Sequence, residues 1–283
     1  MASTLTFSML PEDCVSNIIS FTSPADACKS VSSFFTLAAE SDLVWEKFLP
    51  TDYLHIVQKS VIPLEFSSRK ELFLRLSEST IIDGGRKSFS LDTLSAKKSY
   101  IISARELSIF GSNDPTCWSW NPNPDSRFLE VAELKTTSDL KIHCTLNTEM
   151  LSQNTKYGAY ILIKIPNGAY GLDAIPSELS IKVGDHEVTS TAYLSHNNDS
   201  KRIQMLHLLF ANRLEMLKKR VVHGEERAPQ ERKDGWLEIE LGEFYSGERN
   251  EEVKMSLVEA KGHQLKGGLV VEGIEVRPKH KLQ

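Results

Sequence analysis

The stretch that decides how this chain folds runs from Leu10 to Pro50 and reads LPEDCVSNIISFTSPADACKSVSSFFTLAAESDLVWEKFLP. Pro11 suits the first turn of a helix, where its missing N–H costs no hydrogen bond, and Glu12 and Asp13 complement the positive end of the helix dipole. The pattern therefore predicts a helix that begins at Pro11. The apolar stripe of this helix has the required three-to-four-residue spacing and consists of Cys14, Val15, Ile18 and Ile19.

Two further helix starts lie inside the same stretch. Ser23 is placed as an N-cap, with Pro24 as the first helical residue and Asp26 completing a capping box. A last helix is predicted to begin near Ser41 and to end at Pro50. The stretch thus predicts three short helices.

A helical unit of this size buries too little surface to be stable alone. Trp45 and Phe48 are expected to hold its helices together. The apolar stripe left over should be covered by a partner in a helix-in-groove contact. The alternative is an ordinary helical subdomain, because capped helices occur in proteins of every kind.

The order of these segments resembles an F-box, the module that binds a Skp-type adaptor in cullin-based ubiquitin ligases. The segments that carry the likeness are residues 10–13, 18–21, 31–35 and 41–45. One departure is Phe35, where many F-boxes have Trp. The resemblance implies an F-box over residues 4–50 and a cullin reached through the adaptor. The adaptor-facing residues that it indicates are Leu10, Pro11, Ile18, Ile19 and Val31.

Composition places the whole chain among globular proteins. Its 283 residues are 40% hydrophobic and 25% charged, and the formal net charge of -5 argues against a nucleic-acid-binding surface. No run of 18 apolar residues or signal-peptide pattern is present, so we expect a cytoplasmic or nuclear protein that contacts no membrane. Four cysteines without C-x-x-C spacing predict neither a metal site nor disulfides, and no motif predicts a cofactor.

Beyond Pro50 the pattern changes from helical to extended. Residues 51–85 form a predicted helical connector, in which Ser68 and Glu71 make a capping box, and the turn signal at Gly84 and Gly85 ends it. Residues 86–279 are predicted to form an antiparallel β-sandwich, with a helical insertion near 201–222, so the chain is a multi-domain α+β protein. The predicted strands include residues 140–146, 157–165, 179–183, 236–241, 253–258 and 269–276.

One predicted strand carries an aromatic residue beside carboxylates. If Leu237 and Ile239 face the core, then Trp236, Glu238 and Glu240 share the opposite face. An indole ring can cover the apolar face of a pyranose while carboxylates accept hydrogen bonds from its hydroxyls. The alternative is that the two glutamates form the solvated side of a half-covered sheet.

The second part of the chain resembles the phloem-protein-2 lectin domain over most of residues 98–279. The segments that carry this likeness are residues 103–109, 118–120, 124–134, 157–160, 234–244 and 266–278. The resemblance implies a jelly-roll-like β-sandwich and, in some members, binding of N-acetylglucosamine-containing or high-mannose glycans. Combined with the F-box, it points to the plant F-box proteins of the phloem-protein-2 B type.

The aromatic pair that the resemblance implies for sugar binding is incomplete. Its later member matches Trp118, whereas the earlier position is Gly111, and Phe110 substitutes only if a bulge turns it to the same face. Trp118 and Trp120 are alternatively core aromatics. The carbohydrate-binding residues predicted are Trp118, Trp120, Trp236, Glu238 and Glu240.

No enzyme is predicted. Glu238 and Glu240 stand parallel on one strand and do not flank a scissile bond as the two carboxylates of a glycosidase do. The expected function is that of the substrate-recognition subunit of a cullin-based ubiquitin ligase. The lectin-like domain of this subunit presents a protein target, and one version of the hypothesis is that it binds glycans of that target. The alternatives are a nucleocytoplasmic lectin and a domain that reads protein targets through its loops. The target's identity is left open.

Overall fold

The computed structural model describes residues 10–29, 33–173, 175–195, 226–259 and 264–280. The chain divides into two compact units, a helical unit of Met1–Tyr100 and a sheet unit of Ile101–Gln283. N-terminal helices followed by mainly antiparallel sheets confirm the predicted α+β class. The predicted insertion near 201–222 lies outside the described residues, and the domain bounds 4–50, 51–85 and 86–279 stay predictions.

The helical unit contains four helices within residues 10–50 of the described chain, one more than predicted. Ser23 and Ser68 are the N-caps, since Ser23 Oγ accepts the Asp26 N–H and Ser68 Oγ accepts the Glu71 N–H, each at 3.1 Å. The reciprocal bond of the second predicted capping box goes to a different residue, because the Glu71 carboxylate accepts the backbone N–H of Ser67 at 2.8 Å. The extra helix follows Cys28, where neither Gly nor Pro marks a break. The helices are α1 Glu12–Ile19, α2 Pro24–Cys28, α3 Ser33–Glu40, α4 Asp42–Phe48, α5 Tyr53–Gln58 and α6 Arg69–Ser77.

An aromatic cluster forms the centre of the helical unit. Trp45 and Phe48 are buried, as predicted, and the ring of Phe73 from α6 lies 5.2 Å from Trp45 and 6.2 Å from Phe48. The Trp45 indole N–H donates to the Ala39 carbonyl at 2.6 Å, which ties α4 to the end of α3. The predicted connector therefore supplies part of the core of the predicted F-box.

Most of the sheet unit consists of strands. The predicted strand positions are confirmed, but the shorter strands at residues 118–121 and 131–134 and the strand at 186–192 are additional. The strands of the described residues are β1 Thr80–Ile82, β2 Lys87–Leu91, β3 Lys98–Ser103, β4 Ser108–Ile109, β5 Trp118–Asn121, β6 Val131–Leu134, β7 Leu140–Asn147, β8 Thr155–Lys164, β9 Ser177–Val183, β10 His186–Ala192, β11 Glu226–Arg227, β12 Gln230–Glu231, β13 Leu237–Ser246, β14 Glu252–Glu259 and β15 Val270–Pro278.

Two sheets make up the sheet unit. Within this unit the larger sheet has the order β3-β15-β8-β13-β12, with β6 pairing both β15 and β5, so β8 has a strand on each side. Its continuous apolar pattern is typical of an interior strand. The smaller sheet has the order β11-β10-β9-β14-β7-β4 and is antiparallel except for the parallel pairing of β10 with β11. The turn between β9 and β10 is a two-residue loop in which Gly184 has a φ of 56°.

Strand β13 of the larger sheet contacts β9 and β10 of the smaller sheet. A Cβ at Gly242 on β13 would lie 3.3 Å from the side chain of Ile181 on β9, so this crossing point needs a glycine. A β-bulge between Glu240 and Gly242 shifts the register of β13 against β8 and keeps Glu243 on the outer face with Glu240. None of the helices described here is long and apolar enough to cross a membrane.

Candidate functional site

Large apolar side chains are exposed on the helical unit although its aromatic core is complete. Ile18 is 45%, Phe21 82%, Leu37 68% and Leu43 63% exposed. Helix α1 packs against α3 and α4, so these side chains belong to helices that contact one another or, for Phe21, to the turn that follows α1. Large exposed apolar side chains on helices that pack together are a feature of protein-binding sites.

The predicted adaptor-facing residues differ in their surroundings. Pro11 and Ile18 are exposed and Leu10 is half-buried, whereas Ile19 is 7% exposed and packs inside the helical unit. Val31 lies outside the described residues. The set proposed from the sequence omits Phe21, Leu37 and Leu43, of which Phe21 and Leu43 stand inside the F-box-like segments and Leu37 lies on the helix that the pattern did not show.

In the sheet unit, Trp118 and Trp120 project from the same side of β5 and hold the loop that precedes it. The Trp118 indole N–H donates to the Phe110 carbonyl at 3.1 Å, and the Trp120 indole N–H donates to the Ser112 carbonyl at 3.3 Å. Trp118 is buried, while Trp120 keeps part of its surface in solvent. The N–H groups of both indoles are thus hydrogen-bonded, and Trp120 is half-buried, with part of its surface accessible to solvent.

Gly111 lies between the two carbonyls that accept these indole hydrogen bonds. Its φ of 74° is in the left-handed region, which side chains other than glycine rarely adopt. A Cβ there would lie 3.7 Å from the Cys117 Cβ, which is an ordinary contact. Backbone conformation therefore disfavours any residue with a Cβ at this position.

Each exposed aromatic ring next to this loop has a cation above it. The Arg105 guanidinium carbon lies 3.8 Å from the centre of the Trp120 ring, and the Lys141 amine lies 4.9 Å from the centre of the Phe110 ring. Arg105 Nε also donates to Glu130 at 2.9 Å. We call Trp118, Trp120 and Phe110, with Arg105, Lys141 and Glu130, the aromatic site.

Trp236 is in a different environment. It is fully buried, its indole N–H donates to the Asp125 carbonyl at 2.9 Å, and the Lys164 amine lies 4.8 Å from its ring centre while donating to the Asp125 carboxylate. Val131 and Val270 complete the contact. Trp236 therefore anchors the loop before β6 to the start of β13.

The same loop is held by ion pairs. Arg127 donates to Asp234 at 2.6 Å and to Glu272 at 2.9 Å. Burial raises the pKa of Glu272, although hydrogen bonds from Arg127 and Ser126 oppose this shift. The two sequence segments around Arg127 and Asp234 thus meet in one structural cluster.

Glu238 and Glu240 belong to an ion-pair network on the outer face of the larger sheet. Glu238 accepts hydrogen bonds from both terminal nitrogens of Arg277, at 2.8 and 2.7 Å, and from Arg232 at 2.7 Å. Burial alone would raise the pKa of Glu238, but these arginines outweigh it and the pKa is lowered. Glu240 accepts from Lys279 at 2.9 Å and also pairs with Arg227. Both carboxylates are therefore engaged by cations of the same sheet unit.

A tyrosine lies inside this network. The Tyr160 ring leans over Gly158, where a Cβ would lie 2.6 Å from the tyrosine oxygen, and the Arg277 guanidinium stacks 3.8 Å from the ring centre. Burial, together with the charge of Glu240, raises the pKa of Tyr160. In the part of the chain that the structure describes, no group of three or more His, Cys, Asp or Glu side chains is arranged to hold a metal ion.

Comparison with known proteins accounts for both units. A family model described as phloem protein 2 matches residues 97–278. The chain therefore belongs to the phloem protein 2 family. Relatives that match nearly its whole length place it among the F-box proteins of that family, the PP2-B type.

Three Arabidopsis thaliana proteins illustrate the similarity. The chain is 51% identical to F-box protein PP2-B15, with 96% of each chain covered. It is 48% identical to F-box protein VBF, covering 96% of this chain and 99% of the relative, and 50% identical to F-box protein PP2-B13, covering 95% and 98%. Among solved structures, a Podospora anserina GH26-CBM35 β-(1,4)-mannanase aligns with 65% of this chain and 28% of its own at 7% identity and a TM-score of 0.34, which is too low to establish a shared fold.

Proposed function

We propose that this protein is the substrate-recognition subunit of an SCF-type cullin ubiquitin ligase. The helical unit binds a Skp-type adaptor and through it a cullin, while the sheet unit holds a target protein. The protein itself performs no chemistry. It raises the effective concentration of the target near the ubiquitin-charged enzyme carried by another subunit, as linked binding modules do. This role places it in the cytoplasm, the nucleus or both.

The observation that carries this proposal is the exposure of Ile18, Phe21, Leu37 and Leu43, which lie on or directly after helices that pack on one another. A partner that covers these side chains removes apolar area from water, which is the main source of affinity in helix-in-groove contacts. The F-box names of the relatives agree with a partner of this kind.

The test is co-expression with a Skp-type adaptor followed by purification on the tagged adaptor. The Phe21→Ala and Leu37→Ala variants are expected to be lost from the complex. Leu129→Ala is the matched control, because Leu129 is an equally exposed leucine, 87% accessible, in the sheet unit. Retention of the Phe21 and Leu37 variants at the level of the control contradicts the proposal.

For the sheet unit we propose a jelly-roll-like lectin sandwich that binds a glycan of the target at the aromatic site. Trp120 supports this choice, since its ring is the one among Trp118, Trp120 and Trp236 that keeps solvent-accessible surface. Indole rings bind the apolar faces of pyranoses. The second candidate function, a nucleocytoplasmic lectin that works outside a ligase, rests on the same site.

A glycan array that includes chitotriose and high-mannose glycans tests this part. Binding that is lost in Trp120→Ala, with the protein still folded, supports glycan recognition. Absence of binding to every glycan leaves target recognition to protein contacts. A lectin that acts alone predicts that Phe21→Ala leaves the cellular partners unchanged, whereas a ligase subunit loses its adaptor and cullin.

A further inference from the structure

The cap on the Trp120 ring sets a condition on any ligand of the aromatic site. Arg105 covers the ring at 3.8 Å and is held there by Glu130, with Nε 2.9 Å from the carboxylate and a second, shorter contact from Nη2. A sugar that stacks on this face of Trp120 occupies the same volume as the guanidinium. The two cannot be bound at the same time.

The cap is weakly held. The side chains of Arg105 and Glu130 are 47% and 40% exposed, so solvent screens both their ion pair and the cation–π contact. Lys164 over Trp236 is the opposite case, because that ring is fully buried and its indole N–H is bound by the Asp125 carbonyl. The Arg105–Trp120 pair therefore lies where it can open at little cost, whereas Trp236 is part of the core.

We propose that Arg105 is a displaceable cap on Trp120 and that a neutral hexopyranose binds by replacing the guanidinium on the ring. This inference rests on the proposed glycan binding and names the residue that regulates it. The pyranose offers its apolar C–H face to the indole, while Arg105 swings into solvent and keeps Glu130 as its partner. Arg105 thereby lowers the affinity of every sugar that stacks on this face by the same factor, so strong binding requires a glycan that makes further contacts.

The cap itself is measured without any ligand. Trp45, Trp118 and Trp236 are buried, so quenching of tryptophan fluorescence by acrylamide reports mainly on Trp120. Arg105→Ala is expected to raise the quenching constant, and Glu130→Gln, which frees the guanidinium without shortening it, is expected to raise it less. Lys141→Ala is the matched control and should leave quenching unchanged, because Lys141 lies over the Phe110 ring and covers no tryptophan. Equal quenching in the wild type and in Arg105→Ala overturns the cap.

Glycan affinity is the second readout, with chitotriose and a high-mannose glycan as probes. Removing the cap should tighten binding about two- to five-fold, since Arg105 keeps its ion pair with Glu130 and only the exposed cation–π contact resists displacement. Weaker binding by Arg105→Ala overturns the inference, because Arg105 then contacts the ligand. Quenching can rise in Arg105→Ala while neither the wild type nor any variant binds either glycan. In that case the proposed glycan binding fails, and the displacement of Arg105 by a sugar fails with it.

Discussion

Arg127 and Glu272 form an ion pair whose carboxylate is fully buried, with Arg127 Nη1 2.9 Å from Glu272 Oε2. The Arg127 backbone N–H and the Ser126 hydroxyl donate to the other carboxylate oxygen at 2.9 and 3.2 Å. Glu272 sits at the register shift of β15 between Val271 and Gly273. The pair therefore ties the loop before β6 to an irregular point in the larger sheet.

Removing the cation of this pair should be costly. Arg127→Met leaves Glu272 buried without its counter-charge and should lower the free energy of unfolding by about 3–5 kcal/mol at neutral pH. The loss should shrink on acidification, because a protonated Glu272 carries no charge to bury. Urea unfolding at several pH values measures both effects.

Arg105→Met is the control for that experiment. Its partner Glu130 is 40% exposed, so the cost should be below about 1 kcal/mol and insensitive to the protonation of Glu272. Equal losses for the two methionine variants would contradict the role assigned to burial.

The ion-pair network on the outer face predicts a loss of stability in acid. Hydrogen bonds from their cationic partners outweigh burial and lower the pKa values of Glu238, Glu243 and Asp234. A lowered folded-state pKa gives stability that is present above the unfolded value, 4.5 for glutamate and 3.8 for aspartate, and is lost as the pH falls through the folded value. The urea midpoint should therefore decline below pH 4.5.

Glu238→Gln checks this assignment. The variant removes one titrating group from the network, so its stability should decline less between about pH 5 and pH 3 than that of the wild type. Parallel pH profiles for the two proteins would show that Glu238 does not contribute.

Trp45 is expected to be essential for folding of the helical unit. Trp45→Ala removes a fully buried ring that contacts Phe48 and Phe73, and it should cost about 3–5 kcal/mol of stability. Circular dichroism during thermal unfolding measures the loss. A variant that melts like the wild type but no longer binds the adaptor would assign Trp45 to the interface instead.

Two neighbouring isoleucines should separate stability from binding. Ile18 is 45% exposed and Ile19 is 7% exposed. Ile18→Ala should change stability by no more than about 0.5 kcal/mol and weaken adaptor capture, whereas Ile19→Ala should destabilise the unit by about 2–5 kcal/mol. Thermal unfolding and adaptor pull-down of both variants give the comparison, and a reversed pattern would move the interface to the other side of α1.

Gly111 is expected to tolerate no side chain without strain. Gly111→Ala should cost about 1–2 kcal/mol, because its φ of 74° is unfavourable for an L-residue. Gly111→Trp should lose the same amount of stability and should also weaken the hydrogen bonds of Trp118 and Trp120 to the loop. Unfolding free energies and acrylamide quenching measure the two effects, and a stabilised Gly111→Trp variant would contradict them.

Local patterns predicted the elements that depend on local chemistry. The caps at Ser23 and Ser68 and the alternation along β7 follow from hydrogen bonds within a turn and from the pleat of a strand. Helix α3 was not predicted because its separation from α2 has no Gly or Pro signal. Strands β5 and β6 have four residues each, too few for a period to be visible in the sequence.

The surroundings of the candidate residues depend on contacts between distant segments. The pattern predicts that Trp236 and Glu238 share a face, but not that the loop at Asp125 buries Trp236 or that Arg277 binds Glu238. Likewise, Arg105 and Trp120 are fifteen positions apart by their numbers, and no spacing rule brings a guanidinium over a ring. Ion pairs and stacking of this kind follow from the sheet register, which the sequence leaves open.

The position of Phe73 also bears on how this family can exchange its parts. Helix α6 supplies the Phe73 ring that packs on Trp45 and Phe48 of α4. A fragment that ends at Pro50 therefore lacks one side chain of its aromatic core. A gene fusion that joined residues up to Pro50 to an unrelated domain would need another side chain in place of the Phe73 ring. The portable unit in evolution, and in any engineered swap of targeting domains, accordingly extends at least to Ser77.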